Sequence, residues 1–345
     1  MQIRLVAADS SADYLKRLSS VLSRSDAVQW SVTLYTDRQL FLRDFSGASC
    51  DILLLSAGMY DPSLRLSGTR LAVLLADPDQ DGGFTAEGFQ SIRKYQRISE
   101  IQRLILELYA DVSPAESIYS GHSQATLLTA FYSPAGGVGT TSAAIAYASR
   151  LAMAGKRTLY LDLQNISSHE AFFGPSDRKG VSELFAKLGS GINMAAKLQS
   201  LLQTDPATGL QHLNGFDNLV DFEAVTADDA AALLTVLRSS NMFDRIVADL
   251  SPYLNAAAMA VLTGADRIAA VMGTSTASRA KWALFEKHYS VYGAFREKLS
   301  AVLVGGGATE LPVLARLDFC ANASDSRSLC GFLAQNGSWD LTFLA

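Results

Sequence analysis

One stretch of the chain constrains its fold more than any other, a glycine-rich turn between a predicted strand and a predicted helix. The turn reads Ser-Pro-Ala-Gly-Gly-Val-Gly-Thr-Thr-Ser over residues 133–142. The apolar run 125–132 before it predicts a buried strand, and the alanine-rich run 142–154 after it predicts a helix that Gly155 ends. Glycines allow backbone N–H groups to turn inward, and a helix N-terminus adds the positive end of its dipole. The stretch therefore predicts a loop that cradles phosphate groups.

The spacing of the glycines resembles the deviant Walker A loop of the MinD/ParA family of P-loop ATPases, which reads K-G-G-x-G-K-T-[ST]. Ala135 and Thr140 stand at the two lysine positions of that loop, so both of its phosphate-binding cations are absent here. The resemblance implies a nucleotide site whose binding residues are Gly136, Gly137, Val138, Gly139, Thr140, Thr141 and Ser142.

Two aspartates that end later apolar runs support the same resemblance. Asp162 stands where MinD-like proteins carry a D-x-D pattern near the γ-phosphate, and Gln164 replaces the second acid. Asp249 ends an apolar strand, as a Walker B aspartate does. The resemblance implies ATP and Mg²⁺ as cofactors, with Thr141 and Asp249 as metal ligands and Asp162 and Asp249 as candidate catalytic residues. Hydrolysis is expected to be weak or absent, because phosphoryl transfer depends on electrostatic stabilisation that the missing lysines would supply.

The first part of the chain alternates short apolar runs with amphipathic segments. This alternation predicts a parallel sheet that helices cover on both faces. The predicted strands are 3–8, 30–35, 51–55, 71–76 and 91–95, and the predicted helices are 11–23, 37–45 and 99–109. The order of these elements resembles a response-regulator receiver domain.

The residues at the receiver's functional positions depart from that pattern. A receiver needs an acidic pair after its first strand, and here only Asp9 is acidic. The phosphoacceptor position at the end of the third strand is Ser56, which cannot form an acyl phosphate. Lys94 matches the receiver's late lysine in one interpretation; in the other, Lys94 and Asp9 are ordinary surface residues. The resemblance implies a pseudo-receiver that serves as a docking or dimerisation surface.

The chain of 345 residues has the length of about two domains. We predict a pseudo-receiver at 1–112, a linker at 113–124 and a MinD/ParA-like domain at 125–345. The linker contains proline, glycine and serines without hydrophobic periodicity. The predicted fold class is α/β, a CheY-like pseudo-receiver followed by a doubly wound P-loop NTPase domain. The run 311–317 is expected to be the last strand, followed by a polar end.

Composition excludes several classes of function. The net charge of −5 gives no reason to expect nucleic acid as a partner. The chain starts as a strand and not as a signal peptide, and no apolar run approaches the roughly 18 residues that cross a membrane. Three cysteines and four histidines are scattered, so neither a disulfide framework nor a metal cluster is expected. We therefore expect a cytoplasmic protein without nucleic acid, without direct membrane insertion, and with no metal besides nucleotide-bound Mg²⁺.

A degenerate receiver before a P-loop domain without lysines resembles the TadZ/CpaE family of Flp/Tad pilus assembly proteins. The resemblance implies a homodimeric localisation factor that binds ATP with weak or no hydrolysis. The implied partners are the pilus secretion ATPase and membrane platform proteins, and a polar or membrane-peripheral position would be reached through them.

The alternative is an active positioning ATPase of the MinD/ParA type. MinD-like membrane binding requires a basic amphipathic C-terminal helix, yet the segment after Arg327 contains no Lys or Arg. DNA binding of the ParA type requires a basic surface. Arg150 or Arg279 could supply a catalytic cation from a partner subunit, but we prefer to interpret both as surface charges.

Overall fold

The computed structural model describes residues 2–23, 28–45, 49–77, 85–114, 126–289, 294–318 and 323–340. The chain divides into two compact units. Unit 1 contains Met1–Ser117 and Gly189–Ser200, and unit 2 contains Ile118–Leu188 and Leu201–Ala345. The predicted linker lies outside the described residues from position 115 onward.

Unit 1 contains a parallel sheet. In its described residues the elements are β1 (Gln2–Ala8), α1 (Ala12–Leu22), β2 (Gln29–Tyr35), α2 (Arg38–Phe45), β3 (Cys50–Ser56), a 3-10 turn (Ala57–Met59), β4 (Thr69–Ala76), β5 (Gln90–Arg93) and α3 (Ile98–Val112). The strand order is β2-β1-β3-β4-β5, and all neighbouring strands are parallel. This is the flavodoxin-like order of doubly wound sheets. The predicted strands and helices of this region are confirmed, with small shifts at their ends.

The core of unit 1 follows from the sequence pattern. Strand β3 is buried along its whole length, as its continuous apolar run requires at the centre of a parallel sheet. Helix α1 places Leu15, Leu18 and Leu22 on one buried face. Its N-terminus is capped by Ser11, whose hydroxyl accepts a hydrogen bond from the backbone N–H of Tyr14.

Unit 2 is built on a larger sheet. Its strands in the described residues are β6 (Leu127–Tyr132), β7 (Thr158–Leu163), β8 (Gln203–Thr204), β9 (Gln211–His212), β10 (Arg245–Leu250), β11 (Arg267–Gly273), β12 (Leu299–Val304), β13 (Val313–Leu317) and β14 (Ser338–Trp339). The order is β14-β13-β12-β11-β6-β10-β7-β9-β8, and only the edge strands β14 and β8 pair in the antiparallel sense within the described sheet. The carboxyl ends of β6, β7 and β10 therefore meet at one edge.

The helices of the remaining chain connect these strands. In the described residues they are α4 (Thr140–Met153), α5 (His169–Phe173), α6 (Val181–Lys187), α7 (Met194–Leu201), α8 (Leu219–Ala224), α9 (Ala227–Ser239), α10 (Ala256–Gly264), α11 (Thr276–Tyr289), α12 (Ala294–Lys298) and α13 (Ser326–Asn336). None of the described helices combines the length and apolar character needed to cross a membrane.

Helix α4 is buried on almost every side. Its small alanines pack closely in the same core as the central strands and helix α13. The Arg150 guanidinium donates a 2.8 Å hydrogen bond to the Ala334 carbonyl, and the rings of Tyr147 and Trp339 lie 5.5 Å apart. The predicted polar end is therefore wrong, because 326–339 forms a helix and a short strand that cover α4. The predicted surface position of Arg150 is also wrong, whereas Arg279 is exposed as expected.

Helix α7 belongs mainly to unit 1, although unit 2 residues precede it in the chain. Ala196 is fully buried in the core that contains Ala110. The backbone N–H of Asn193 donates a 3.1 Å hydrogen bond to the Ala110 carbonyl. Lys197, only 2% exposed, lies 3.8 Å from the Glu107 carboxylate. The core of unit 1 is thus completed by a distant part of the sequence.

We expect Ala196→Asp in the full chain to destabilise unit 1 by about 3 kcal/mol or more, because a carboxylate would enter an apolar core. Hydrogen–deuterium exchange should show faster exchange in β1 and β3. Ala195→Asp is the matched control, because Ala195 directly precedes Ala196 in the chain and is only half-buried. Equal exchange in the two variants would contradict the placement of α7 in this core.

Candidate functional site

The glycine loop between β6 and α4 forms an exposed backbone cradle. Gly137 has φ 74° and Gly139 has φ 89°, both in the left-handed region that favours glycine. Gly139 is the N-cap of α4 and supplies no side-chain acceptor for the N–H groups of the first turn. A side-chain carbon at Gly137 would meet no described atom within 4 Å. The loop therefore offers N–H donors at a helix N-terminus with space in front of them.

The glycine loop packs closely against the end of strand β11. A side-chain carbon at Gly273, the last residue of β11, would lie 3.0 Å from Val138 Cγ1, so glycine permits this approach. Ala135 is buried, and its backbone N–H donates a 3.3 Å hydrogen bond to the Ser133 hydroxyl. Of the seven predicted binding residues, Gly136 and Gly137 are exposed and the other five are half-buried. They form one continuous surface.

The two predicted acids lie side by side near the start of α4. Asp162 on β7 and Asp249 on β10 are register partners, and both are fully buried. The Thr141 hydroxyl, in the first turn of α4, lies near Asp249 and acts to lower the pKa of that carboxyl. The structure thus brings together the three side chains that the sequence assigned to metal and catalysis.

Two protein donors contact one oxygen of the Asp249 carboxylate. The Tyr160 hydroxyl donates a 2.9 Å hydrogen bond to Asp249 Oδ2, and the Gln164 side-chain amide donates to the same oxygen. Asp249 Oδ1 is buried and has no hydrogen-bond partner among the described residues. Burial, followed by the charge of Asp162, raises the pKa of Asp249 to about 7, against the opposing effect of these hydrogen bonds.

Asp162 is engaged in the same way. Its Oδ2 accepts a 2.6 Å hydrogen bond from the Ser167 hydroxyl, and its Oδ1 accepts one of 3.0 Å from the backbone N–H of Gln164. Burial raises the pKa of Asp162, and these two hydrogen bonds partly offset the effect. A side-chain carbon at Gly215 would lie 2.7 Å from Ser167 Cβ, so glycine is required for this packing.

Gln164 connects the parts of the site. Its Nε2 atom donates to Thr141 Oγ1 at 2.5 Å as well as to Asp249. An amide NH₂ group donates hydrogen bonds and cannot coordinate a metal. In this arrangement Thr141 Oγ1 and Asp249 Oδ2 face an amide donor and do not fit Mg²⁺, whereas the loop N–H groups fit phosphate. From the sequence, Gln164 was interpreted only as the replacement of an acidic residue. The hydrogen-bond donors of its amide could have indicated a bond to a nearby carboxylate.

A buried histidine pair lies behind these carboxylates. His169 Nε2 and His212 Nδ1 are 2.8 Å apart, and the Phe173 ring stacks on His212 at 3.9 Å. The backbone N–H of His169 donates to the Ser167 hydroxyl, which connects the pair to Asp162. Burial lowers the pKa of His169 to about 4 and, with the neighbouring His169, that of His212 to about 3. Sequence analysis missed the pair because 43 positions separate its members.

Unit 1 contains a separate ion pair at the end of its first strand. Lys94 Nζ lies 2.7 Å from Asp9 Oδ2, and their side chains are 12% and 1% exposed. The ammonium also lies over the rings of Tyr14 and Tyr95. Ser56 is buried at the end of β3. The interpretation of Asp9 and Lys94 as surface residues is therefore wrong.

Comparison with known proteins identifies the fold of unit 2. Residues 128–284 match a family model described as an AAA domain. The chain is similar to a ParA family ATPase from Chlorobium tepidum TLS, with 14% identity, a TM-score of 0.53, and coverage of 64% of this chain and 97% of that chain. Unit 2 has a ParA-type P-loop ATPase fold. This likeness confirms the predicted fold class of the second half and is a statement about fold alone.

Two further solved structures are similar at lower scores. One is the MinC:MinD cell division protein complex of Aquifex aeolicus, with 14% identity, a TM-score of 0.49, and coverage of 59% and 86%. The other is the septum site-determining protein MinD with Mg-ADP from Pyrococcus horikoshii OT3, with 14% identity, a TM-score of 0.47, and coverage of 61% and 95%. Comparison with curated proteins gave no match.

The histidine pair predicts loss of stability on acidification. Both rings have a folded-state pKa below the unfolded value of about 6.5, so the unfolded chain binds protons first as the pH falls. Between pH 7 and 5 each histidine should remove up to about 2 kcal/mol from the free energy of unfolding. Urea denaturation should show a smaller loss for the double variant H169Q/H212Q. The exposed His288 supplies the control H288Q, whose free energy of unfolding should depend on pH as that of the unmodified protein does. If the free energy of unfolding depends on pH equally in all three proteins, the lowered pKa values of the two buried histidines are refuted.

Proposed function

We propose that the protein is a nucleotide-binding localisation factor that marks the assembly site of an Flp/Tad pilus, as its resemblance to the TadZ/CpaE family implies. The observation that carries this proposal is the glycine loop. It keeps an open backbone cradle at the N-terminus of α4, while Ala135 and Thr140 occupy the lysine positions. We infer that binding of ATP, without efficient hydrolysis, sets the state of the protein.

Binding without lysines rests on backbone donors. Gly137 and Gly139 hold the left-handed conformations that turn N–H groups toward a phosphate, and the 14 residues of α4 add their dipole. Hydrogen bonds with charged donors are about twice as strong as neutral ones, so the affinity should be modest.

Weak turnover follows from the surroundings of the two acids. Asp162 and Asp249 are fully buried and accept hydrogen bonds from protein groups. We assign them a structural role in place of a catalytic one. The alternative, an active MinD/ParA-type ATPase, requires positive charge near the transferred phosphate. Arg150, one of the two candidates for that charge, is bonded to the end of α13.

Unit 1 supports the pseudo-receiver part of the proposal. Its strand order is flavodoxin-like, its Asp9 is paired with Lys94, and Ser56 stands at the phosphoacceptor position. We propose that unit 1 serves as a surface for homodimer formation and for docking of the pilus secretion ATPase and membrane platform proteins. These partners would give a cytoplasmic protein its polar or membrane-peripheral position.

Gly137→Val should abolish nucleotide binding, because a side chain would fill the phosphate's place. Calorimetry with ATP measures the loss, and phosphate release by the unmodified protein should not exceed that of the variant. Gly155→Val is the matched control: Gly155 has φ 81° and open space around it, but lies beyond the other end of α4. Both changes place a side chain in the left-handed region at a cost of about 1–2 kcal/mol. Equal ATP binding by the two variants would reject the site, and rapid phosphate release would favour the alternative.

The same variants test the cellular role. A fluorescent fusion of the full chain should form a discrete focus in host cells, and crosslinking there should capture the secretion ATPase. Cells with Gly137→Val should lose both the focus and surface pili, while Gly155→Val should retain them. Uniform fluorescence of the unmodified fusion in piliated cells would refute the localisation role.

A further inference from the structure

Gln164 occupies a central position in the site of unit 2. It follows β7, and its backbone N–H is fixed to Asp162 Oδ1 at 3.0 Å. Its side-chain nitrogen donates to Thr141 Oγ1 at 2.5 Å and to Asp249 Oδ2. One nitrogen atom thus lies between the two oxygens that the fold family would use, directly or through water, to hold Mg²⁺.

The donors around this nitrogen leave little capacity for an ion. Mg²⁺ requires oxygen ligands at about 2.0–2.1 Å in octahedral geometry. Asp249 Oδ2 also accepts from the Tyr160 hydroxyl, and both oxygens of Asp162 accept from protein donors. The Thr141 hydroxyl accepts from the Gln164 amide at 2.5 Å. An ion that bridged Thr141 Oγ1 and Asp249 Oδ2 could bind only after the Gln164 nitrogen had turned away from both oxygens. Asp249 Oδ1 has no hydrogen-bond partner among the described residues, and a single oxygen does not complete an octahedral shell.

We propose that the Gln164 amide replaces Mg²⁺ in this site, so that the chain binds nucleoside di- and triphosphates without a divalent cation. The inference rests on the proposed nucleotide site. The amide connects the first turn of α4 to β10, as a bridging ion would, but it contributes N–H donors and no charge. The loop N–H groups and the dipole of α4 are then the attractive elements for phosphate.

The chemistry at position 164 determines the metal requirement. A carboxylate there would add an oxygen ligand and a negative charge next to Asp249. Such a site would repel phosphate in the absence of a cation and would bind it through one in its presence. Gln164→Asp should therefore create a dependence on Mg²⁺. Asn165→Asp adds the same charge one residue later, at a half-buried position, and is the matched control.

The experiment measures the dissociation constants of ATP and ADP by calorimetry, once with Mg²⁺ and once with EDTA. For the unmodified protein the two conditions should agree within about threefold, whereas Gln164→Asp should bind at least about tenfold more weakly in EDTA. Asn165→Asp should behave as the unmodified protein. Binding by the unmodified protein that requires Mg²⁺ would overturn this inference and leave the proposed nucleotide site standing. Lack of binding under both conditions would overturn the proposed function, and this inference with it.

A second measurement needs no nucleotide. Electron paramagnetic resonance of added Mn²⁺ should show only free ion with the unmodified protein and with Asn165→Asp, and bound ion with Gln164→Asp. Bound Mn²⁺ in the unmodified protein, lost on Asp249→Asn, would overturn the proposal. The comparison of Mg²⁺ with EDTA on the unmodified protein decides the question even if Gln164→Asp does not fold.

Discussion

The burial of carboxylates at the ends of parallel strands is the constraint on which the rest of this structure depends. An ionised carboxylate without a partner in an apolar interior is too costly to persist, so it must acquire a cation, a proton or several hydrogen-bond donors. Parallel strands end at a common edge, which concentrates such groups there. In unit 2 the edge carries Asp162 and Asp249 as direct register partners. Their compensation determines what this edge of the sheet can bind.

The two units solve this problem with different protein nitrogens. In unit 1 the Lys94 ammonium lies 2.7 Å from Asp9, which supplies a full charge. In unit 2 the Gln164 amide and the Tyr160 hydroxyl donate to Asp249 without supplying charge. These donors do not fully compensate the buried negative charge, because burial and the charge of Asp162 still raise the pKa of Asp249 to about 7. Each unit thus places a protein donor on a buried carboxylate at the end of a parallel strand, and in unit 2 Asp249 Oδ1 has no partner among the described residues.

Local sequence signals predicted most of the fold. Short apolar runs marked the strands of unit 1, and the glycine loop between strand and helix identified the ParA-type architecture of unit 2. The positions of Asp162, Asp249 and Thr141 at one edge of the sheet were predictable because strand ends and loop positions are fixed by topology. Helix α13 was missed, although Leu329 and Leu333 repeat at helical spacing, because glycines interrupt the segment. Its role in covering α4 depends on tertiary packing.

Contacts between distant residues were beyond local patterns. Ala196 enters the core of unit 1 from a segment that follows unit 2 residues, and His169 meets His212 across 43 positions. The bridge formed by Gln164 depends on side-chain direction at the end of β7, which spacing does not define. A glutamine in an acid's position is read from sequence as a loss of function. In the folded chain it is a donor to Thr141 Oγ1 and to the buried Asp249 Oδ2.

The proposed replacement of an ion by the Gln164 amide would change what a nucleotide can control. In an ATPase that hydrolyses its nucleotide, the lifetime of the ATP-bound state is limited by the rate of hydrolysis. A site that binds without turnover responds by mass action, and its occupancy follows the ratio of free nucleotide to dissociation constant. With neutral donors in the cradle, the proposed site should bind nucleotide more weakly than a site with charged donors. We therefore expect the bound state to report nucleotide supply, and its reversal to need dissociation only.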